Sequence, residues 1–270
     1  MHSRLLDLPG QPLAYYESSG TGPAALLIHG NSASGRAFER QLAGEIGARF
    51  RLVALDLPGH GESGRAPNSA TYSLPGYAAT VAAAARALGL ERAALVGWSL
   101  GGHIALEAHN LLPDAAGFVI FGTPPLAFPP AMEAAFLPNP AVNIGFKVDV
   151  TPDEATAYAR SFFDPRADID PQPFVDDILR TDGAARAGLA ASIKPNGYQD
   201  EVQIVANLRR PLAIVHGAAE QLVSESYISA LAMPTLWRNS VQIISGAGHA
   251  PHWEQPAAFN ALLEAFLTQQ

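Results

Sequence analysis

The sequence predicts an α/β protein: a mostly parallel, doubly wound sheet interrupted by a helical insertion. Three observations point there. Short apolar runs alternate with amphipathic stretches up to Phe121. That rhythm then lapses for roughly 80 residues of Pro-rich turns and helix-like pieces. It resumes with two more strands and a closing helix. Strands that are apolar along their whole length need cover on both faces, which is the condition of a parallel sheet.

Taken in order, Ala24–Ile28 reads as a buried strand that ends in His29-Gly30-Asn31, and a helix follows over Arg36–Ile46. Arg51–Leu55 is a second strand, broken by Asp56-Leu57-Pro58-Gly59. The Ala-rich stretch Tyr77–Leu88 is a helix closed by Gly89. Ala93–Gly97 is a third strand, Leu100–Leu112 a helix stopped by Pro113, and Gly117–Phe121 a fourth strand. After the insertion come Leu212–His216 and Val241–Ile244. The helix Pro256–Thr268 carries proline at its first position, where a missing N–H costs nothing. The last two strands have no partners except those of the first half. Residues 1–122 and 208–270 are therefore expected to form one core, with 123–207 as a helical cap, rather than two separate domains.

Bulk properties narrow the function. The chain of 270 residues is 48% hydrophobic and 16% charged, as ordinary globular proteins are, with a formal net charge of −8. That balance argues against a nucleic-acid surface, which needs clustered Lys and Arg. There is no cysteine, so disulfides, thiolate nucleophiles and cysteine-based zinc sites are excluded. His249 and His252 are three apart but have Pro251 between them, and no other histidine spacing suggests a metal. No metal or other cofactor is expected. No signal peptide is readable and no apolar run approaches the ~20 residues of a membrane span, so a cytoplasmic protein without a membrane partner is expected. A homo-oligomer is compatible with the sequence.

The motif Gly97-Trp98-Ser99-Leu100-Gly101-Gly102 carries the chemistry. It is Gly-x-Ser-x-Gly directly after a strand and directly before a helix. Glycines relieve the crowding of so tight a turn and leave the Ser99 hydroxyl projecting above the sheet edge as a nucleophile. The Leu100 N–H, at the start of the helix, points where an oxyanion would form. His29-Gly30-Asn31 ends an earlier strand, where the Asn31 N–H supplies a second oxyanion donor and its side chain is within reach of substrate.

A base follows the nucleophile in this chain order, and His249 sits in the glycine-rich loop Gly246–Pro251 after the last strand. A neutral imidazole takes the serine proton and later delivers it to the leaving group. For His60, His103, His109, His216 and His252 packing or solvent is the simpler reading, with His252 on the outer rim. The acid is expected in the loop Gly217–Val223, where Glu220 orients His249. Glu225 is the competitor and reads better as a helix-surface charge. Asp56 precedes Ser99 and reads as a turn residue fixing its own loop.

The motifs His29-Gly30-Asn31-Ser32, Asp56–Ser63, Gly97–Gly102 and Gly248-His249-Ala250-Pro251 stand in the order and spacing of the α/β-hydrolase superfamily, which the chain resembles over nearly its whole length. Serine at 99 separates it from haloalkane dehalogenases and epoxide hydrolases, which need aspartate there. The chain further resembles metal-free bacterial N-acyl homoserine lactone hydrolases, the quorum-quenching lactonases. That likeness rests on His29-Gly30-Asn31-Ser32, Gly97–Ile104, Gly122-Thr123-Pro124-Pro125, Tyr158-Ala159-Arg160-Ser161, Arg180-Thr181-Asp182-Gly183 and the use of Glu at 220. It implies the α/β-hydrolase fold, a Ser99–His249–Glu220 triad, an ester or lactone substrate with an apolar acyl chain, and Tyr158 as the cap residue that touches it.

The cap also holds Phe128, Phe136, Phe146, Phe162, Phe163 and Phe174, several of which must face inward. Trp98, beside the nucleophile, and Phe136 and Phe162 are expected at the substrate. Lactone ring opening is the first expectation. A general carboxylesterase and a carbon–carbon bond hydrolase are the alternatives, and a hydrolase-fold ligand receptor with little turnover is the reading from a different class.

Overall fold

A computed structural model describes residues 2–269. Its eight strands are β1 (Arg4–Leu6), β2 (Leu13–Glu17), β3 (Gly22–Ile28), β4 (Phe50–Leu55), β5 (Ala94–Trp98), β6 (Phe118–Phe121), β7 (Leu212–Gly217) and β8 (Gln242–Ile244). They form one sheet in the order β1-β2-β4-β3-β5-β6-β7-β8. The pairs β1–β2 and β2–β4 are antiparallel and every later pair is parallel. This is the α/β-hydrolase architecture that the motifs led one to expect.

Strands β5, β6 and β7 are buried at every residue, so the sheet needs helices on both faces. The helices Leu74–Ala87 and Leu100–Glu107 pack on each other, while Pro256–Thr268 packs on Glu39–Leu42 and Pro251–Glu254. Between β6 and β7 the described residues form no strand. They form the helices Met132–Ala135, Pro152–Arg160, Gln172–Arg180, Gly183–Ser192 and Glu201–Asn207 and the 3-10 turn Pro140–Phe146. Pro152–Arg160 opens with a capping box in which Thr151 and Glu154 satisfy each other's backbone N–H. Polar links tie this helical segment to the loop after β3 and to the turn Ser69–Tyr72. Ser34 Oγ donates to Asp177 at 2.6 Å and Tyr72 OH to Asp182 at 2.9 Å.

Three local expectations needed correction. The helix expected over Arg36–Ile46 is three pieces: the 3-10 turn Gly35–Phe38 runs into Glu39–Leu42, and Gly44 in an extended conformation (φ −81°, ψ 178°) separates Glu45–Arg49. The helix from Leu100 ends at Glu107 and finishes in hydrogen-bonded turns, with the Leu111 and Leu112 N–H groups both donating to the Ala108 carbonyl. Strands β1 and β2 were not expected from sequence. β1 is a largely exposed edge, and β2 buries Leu13, Ala14 and Tyr16 without a clean alternation. Among the described residues no helix is long and apolar enough to cross a membrane.

The helix Leu100–Glu107 approaches β3 so closely that a Cβ at Gly101 would overlap the Ile28 carbonyl oxygen, a backbone atom that cannot swing aside. Gly101→Ala is expected to cost about 3 kcal/mol, lowering the thermal midpoint by roughly 6–12 °C. Gly64→Ala, where a Cβ meets open space, serves as the control and should leave the midpoint unchanged. Equal midpoints for the two variants in a calorimetric scan would contradict this packing argument.

Candidate active site

The three residues expected to do chemistry come from the carboxyl ends of three strands. Ser99 follows β5 at φ 52° and ψ −117°, a conformation that L-residues adopt only under restraint. The restraint is visible: its N–H donates to the Phe121 carbonyl at 2.8 Å and its carbonyl accepts Thr123 Oγ1–H at 2.7 Å. His249 follows β8, and its Nδ1 lies 2.8 Å from Glu220 Oε2 in the loop after β7. Both side chains are only 3% exposed. Ser99 and His249 face one cavity.

Burial pushes the Glu220 carboxyl up. The charge and hydrogen bond of His249 and the Leu222 N–H, 2.8 Å from Oε1, more than offset it and hold Glu220 below its ordinary value. An ionised Glu220 only accepts hydrogen bonds, so the proton between the two lies on Nδ1 and Nε2 is left as the basic nitrogen. The imidazole is clamped on several sides. Gly122 has φ 60°, and a Cβ there would meet the imidazole at 2.6 Å. Trp98 Nε1–H donates to the His249 carbonyl at 2.8 Å.

The Leu100 N–H opens its helix and the Asn31 N–H lies in the loop after β3. Neither has a hydrogen-bond partner among the described residues. Both residues line the cavity with Ser99, and unpaired N–H donors are what a developing oxyanion requires. The Asn31 side chain, expected within reach of substrate, is instead used by the protein: its Nδ2 donates to the Gly145 carbonyl at 2.6 Å. Tyr158 and Phe136 line the cavity. Tyr158 is raised above the usual phenol range by burial, so its hydroxyl stays protonated. The turn carrying Gly145 is anchored through Arg186, a buried cation whose guanidinium donates to the carbonyls of Lys147, Val148 and Ile178.

Trp98 and Phe162, expected to touch substrate, are packed behind the histidine instead. They are 1% and 2% exposed and meet edge to face, with centroids 5.3 Å apart. Each ring sits 6.0 Å from that of His249. At the end of β5, Trp98 bonds the His249 carbonyl and packs on the rings of His249 and His252, so it supports the loop after β8. Phe163 and Phe174 join this stack, Phe146 lines the cavity, and Phe128 is exposed.

His252, expected on the rim, is fully buried among Phe38, Trp98, Phe121 and Phe259, and burial lowers it to about 3. The short helix Pro251–Glu254 turns it inward, where it packs as a neutral aromatic ring. Asp56 fixes its own loop by accepting the Gly35 and Glu62 N–H groups, both at 2.7 Å. Glu225 is an exposed first-turn charge bonded to Ser229. His103 lies on the cavity wall, not in packing or solvent, bonded to the buried Glu201. Nothing local in the sequence links two residues so far apart. Among the described residues no three His, Asp or Glu side chains are placed to hold a metal ion.

Residues 25–262 match the Alpha/beta hydrolase family. A pimeloyl-[acyl-carrier protein] methyl ester esterase of Xylella fastidiosa is 27% identical, over 94% of this chain and 98% of its own length. The crystal structure of an S-to-G variant of the N-acyl homoserine lactonase AidH, complexed with N-hexanoyl homoserine lactone, superposes with a TM-score of 0.94 at 35% identity, covering 99% of this chain and 97% of that one. AidH complexed with N-butanoyl homoserine gives 0.93 at 35% identity, covering 99% and 96%.

The loop that presents His249 rests on one further carboxylate. Glu254 accepts the Gly248 N–H and the Asp164 N–H, both at 2.6 Å. Burial raises it to about 7 from an ordinary 4.5, against the pull of those two donors. The folded state therefore holds this proton more tightly than the unfolded chain. The stability it contributes is complete below about pH 4.5 and is lost as pH rises through 7. The thermal midpoint of wild type relative to Glu254→Gln is expected to be more favourable at pH 5 than at pH 8. A difference that does not change between those two pH values would refute it.

Proposed function

This chain belongs to the alpha/beta hydrolase family, and from that premise we propose that it is a serine hydrolase that opens the ring of N-acyl homoserine lactones. The observation that carries the reading is the likeness to AidH. It extends over 99% of the chain, so it includes the helical segment that walls the cavity as well as the sheet. A largely apolar cavity lined also by Ser99, His249, Asn31 and Tyr158 supports a substrate with a reactive carbonyl and an acyl chain.

In the proposed reaction Ser99 Oγ attacks the lactone carbonyl carbon while its proton passes to His249 Nε2. Glu220 holds the tautomer that makes this possible and stabilises the imidazolium. The carbonyl oxygen gains the negative charge and is met by the N–H groups of Asn31 and Leu100. Collapse breaks the ring C–O bond, and the departing alkoxide takes the proton from His249. The opened chain is then an ester of Ser99, with its new hydroxyl still tethered. Water gives a proton to His249 and attacks this ester. Ser99 leaves with that proton, and the product is the N-acyl homoserine. Tyr158 and Phe136 contact the substrate around the reacting end.

A simple carboxylesterase is the second reading, favoured by the Xylella relative, which is named as a methyl ester esterase. A panel separates the two: acyl homoserine lactones of several lengths against methyl and aryl esters, with and without a chelator. Lactone ring opening that survives chelation and exceeds ester hydrolysis is expected, and activity confined to esters would defeat the lactone reading. Many equivalents of product per protein are expected, whereas a ligand receptor would release one or fewer.

Ser99→Ala is expected to abolish turnover with the fold intact. Glu220→Gln should lower kcat by roughly 10³–10⁴-fold, because the amide no longer fixes the tautomer or the charge of His249. Retention of most activity by Ser99→Ala in a steady-state assay would show the nucleophile to be wrong.

A further inference from the structure

The cavity that holds Ser99 and His249 contains a second histidine–carboxylate pair that the proposed reaction does not use. His103 stands one turn after Ser99 on the helix Leu100–Glu107, and its Nδ1 lies 2.9 and 2.8 Å from the two oxygens of Glu201. The Glu201 side chain is wholly buried and that of His103 is 14% exposed, and both line the cavity. Glu201 is also part of a reciprocal clip. Its Oε2 accepts the Leu126 N–H at 2.8 Å and its own N–H donates to the Leu126 carbonyl at 2.9 Å.

That clip explains the carboxylate but not the imidazole. An ionised Glu201 accepts Nδ1–H and so orients the ring, leaving Nε2 as the group without a partner among the described residues. Leu74, Leu126 and Ile193 line the same cavity. The ring nitrogen is not sealed from water, so a ligand atom can meet it in place of solvent.

We propose that His103, oriented by Glu201, is a specificity-determining residue whose Nε2 binds an oxygen carried on the acyl chain of the substrate. His103 stands only four residues after Ser99 on the same cavity wall, which puts the oxygen near the amide end of the acyl chain, and the third carbon is the position tested. A hydroxyl there serves either protonation state of the ring, and a carbonyl serves the imidazolium. This assignment of the third carbon rests on the lactone reading given above.

The test is calorimetric binding to Ser99→Ala, which leaves the ligand uncleaved. The probes are N-octanoyl, N-(3-hydroxyoctanoyl) and N-(3-oxooctanoyl) homoserine lactone. At least one oxygenated ligand is expected to bind about tenfold more tightly than the plain chain, and Ser99→Ala/His103→Leu is expected to bring that ratio close to one. Should the leucine variant fail to fold with Glu201 unpaired, His103→Asn keeps a donor for Glu201 while withdrawing the ring nitrogen, and the same loss is expected. No preference in Ser99→Ala, or a preference that survives both substitutions, overturns the proposal. Wild-type turnover of the octanoyl lactone, measured alongside, reports on the lactone reading alone. A protein that hydrolyses this lactone yet shows no binding preference defeats only the role of His103. A protein that neither binds nor hydrolyses any of the three defeats both.

Discussion

The backbone turn at Ser99 is the constraint on which the rest of the site depends. A residue held at φ 52° and ψ −117° carries strain of about 1–3 kcal/mol, and it persists only because its surroundings leave no alternative. β5 is buried at every position, the Ser99 N–H and carbonyl are both bonded to the end of β6, and Gly101 lets the next helix press against β3. The same turn does three things at once. It brings Ser99 to the cavity, leaves the Leu100 N–H without a helical partner, and sets His103 one turn further along the wall. A small displacement of this turn would move all three together.

Electrostatics complement that rigidity. The cavity is mostly carbon, and three of the polar side chains on it are each held by a second residue. Glu220 stands behind His249, Glu201 behind His103, and the Gly145 carbonyl behind Asn31. The aromatic stack of Trp98, Phe162 and Phe174 keeps water from the rear of His249, which strengthens its bond to Glu220. The helical segment between β6 and β7 is thus part of the site. It supplies Tyr158 and Phe136 to the cavity, and through Gly145 it fixes Asn31.

What the sequence disclosed follows the range of the interactions involved. The Ser99 turn is written within six residues, so its motif was legible, as were the strands whose apolar runs are continuous. Glu220 was legible only through chain order, since its pairing with His249 spans two loops. The short edge strand β1 and the irregularly buried β2 lack a periodic signal and were missed. Residue type marks Trp98 and Phe162 as important but does not say on which side of the histidine their rings pack. His103 and Glu201 lie 98 positions apart, and no local pattern marks such a pair. His252 was misplaced for a related reason: a histidine buried as a plain aromatic ring looks the same in sequence as one on a rim.

The central claim is that one hydroxyl, that of Ser99, forms the covalent intermediate. Reaction with a serine-directed fluorophosphonate, followed by peptide mapping in a mass spectrometer, addresses it directly. A single adduct on the peptide bearing Ser99 is predicted, with hydrolytic activity lost in proportion to its yield. An adduct on another residue that accounts for the lost activity, or full activity with Ser99 completely modified, would contradict it.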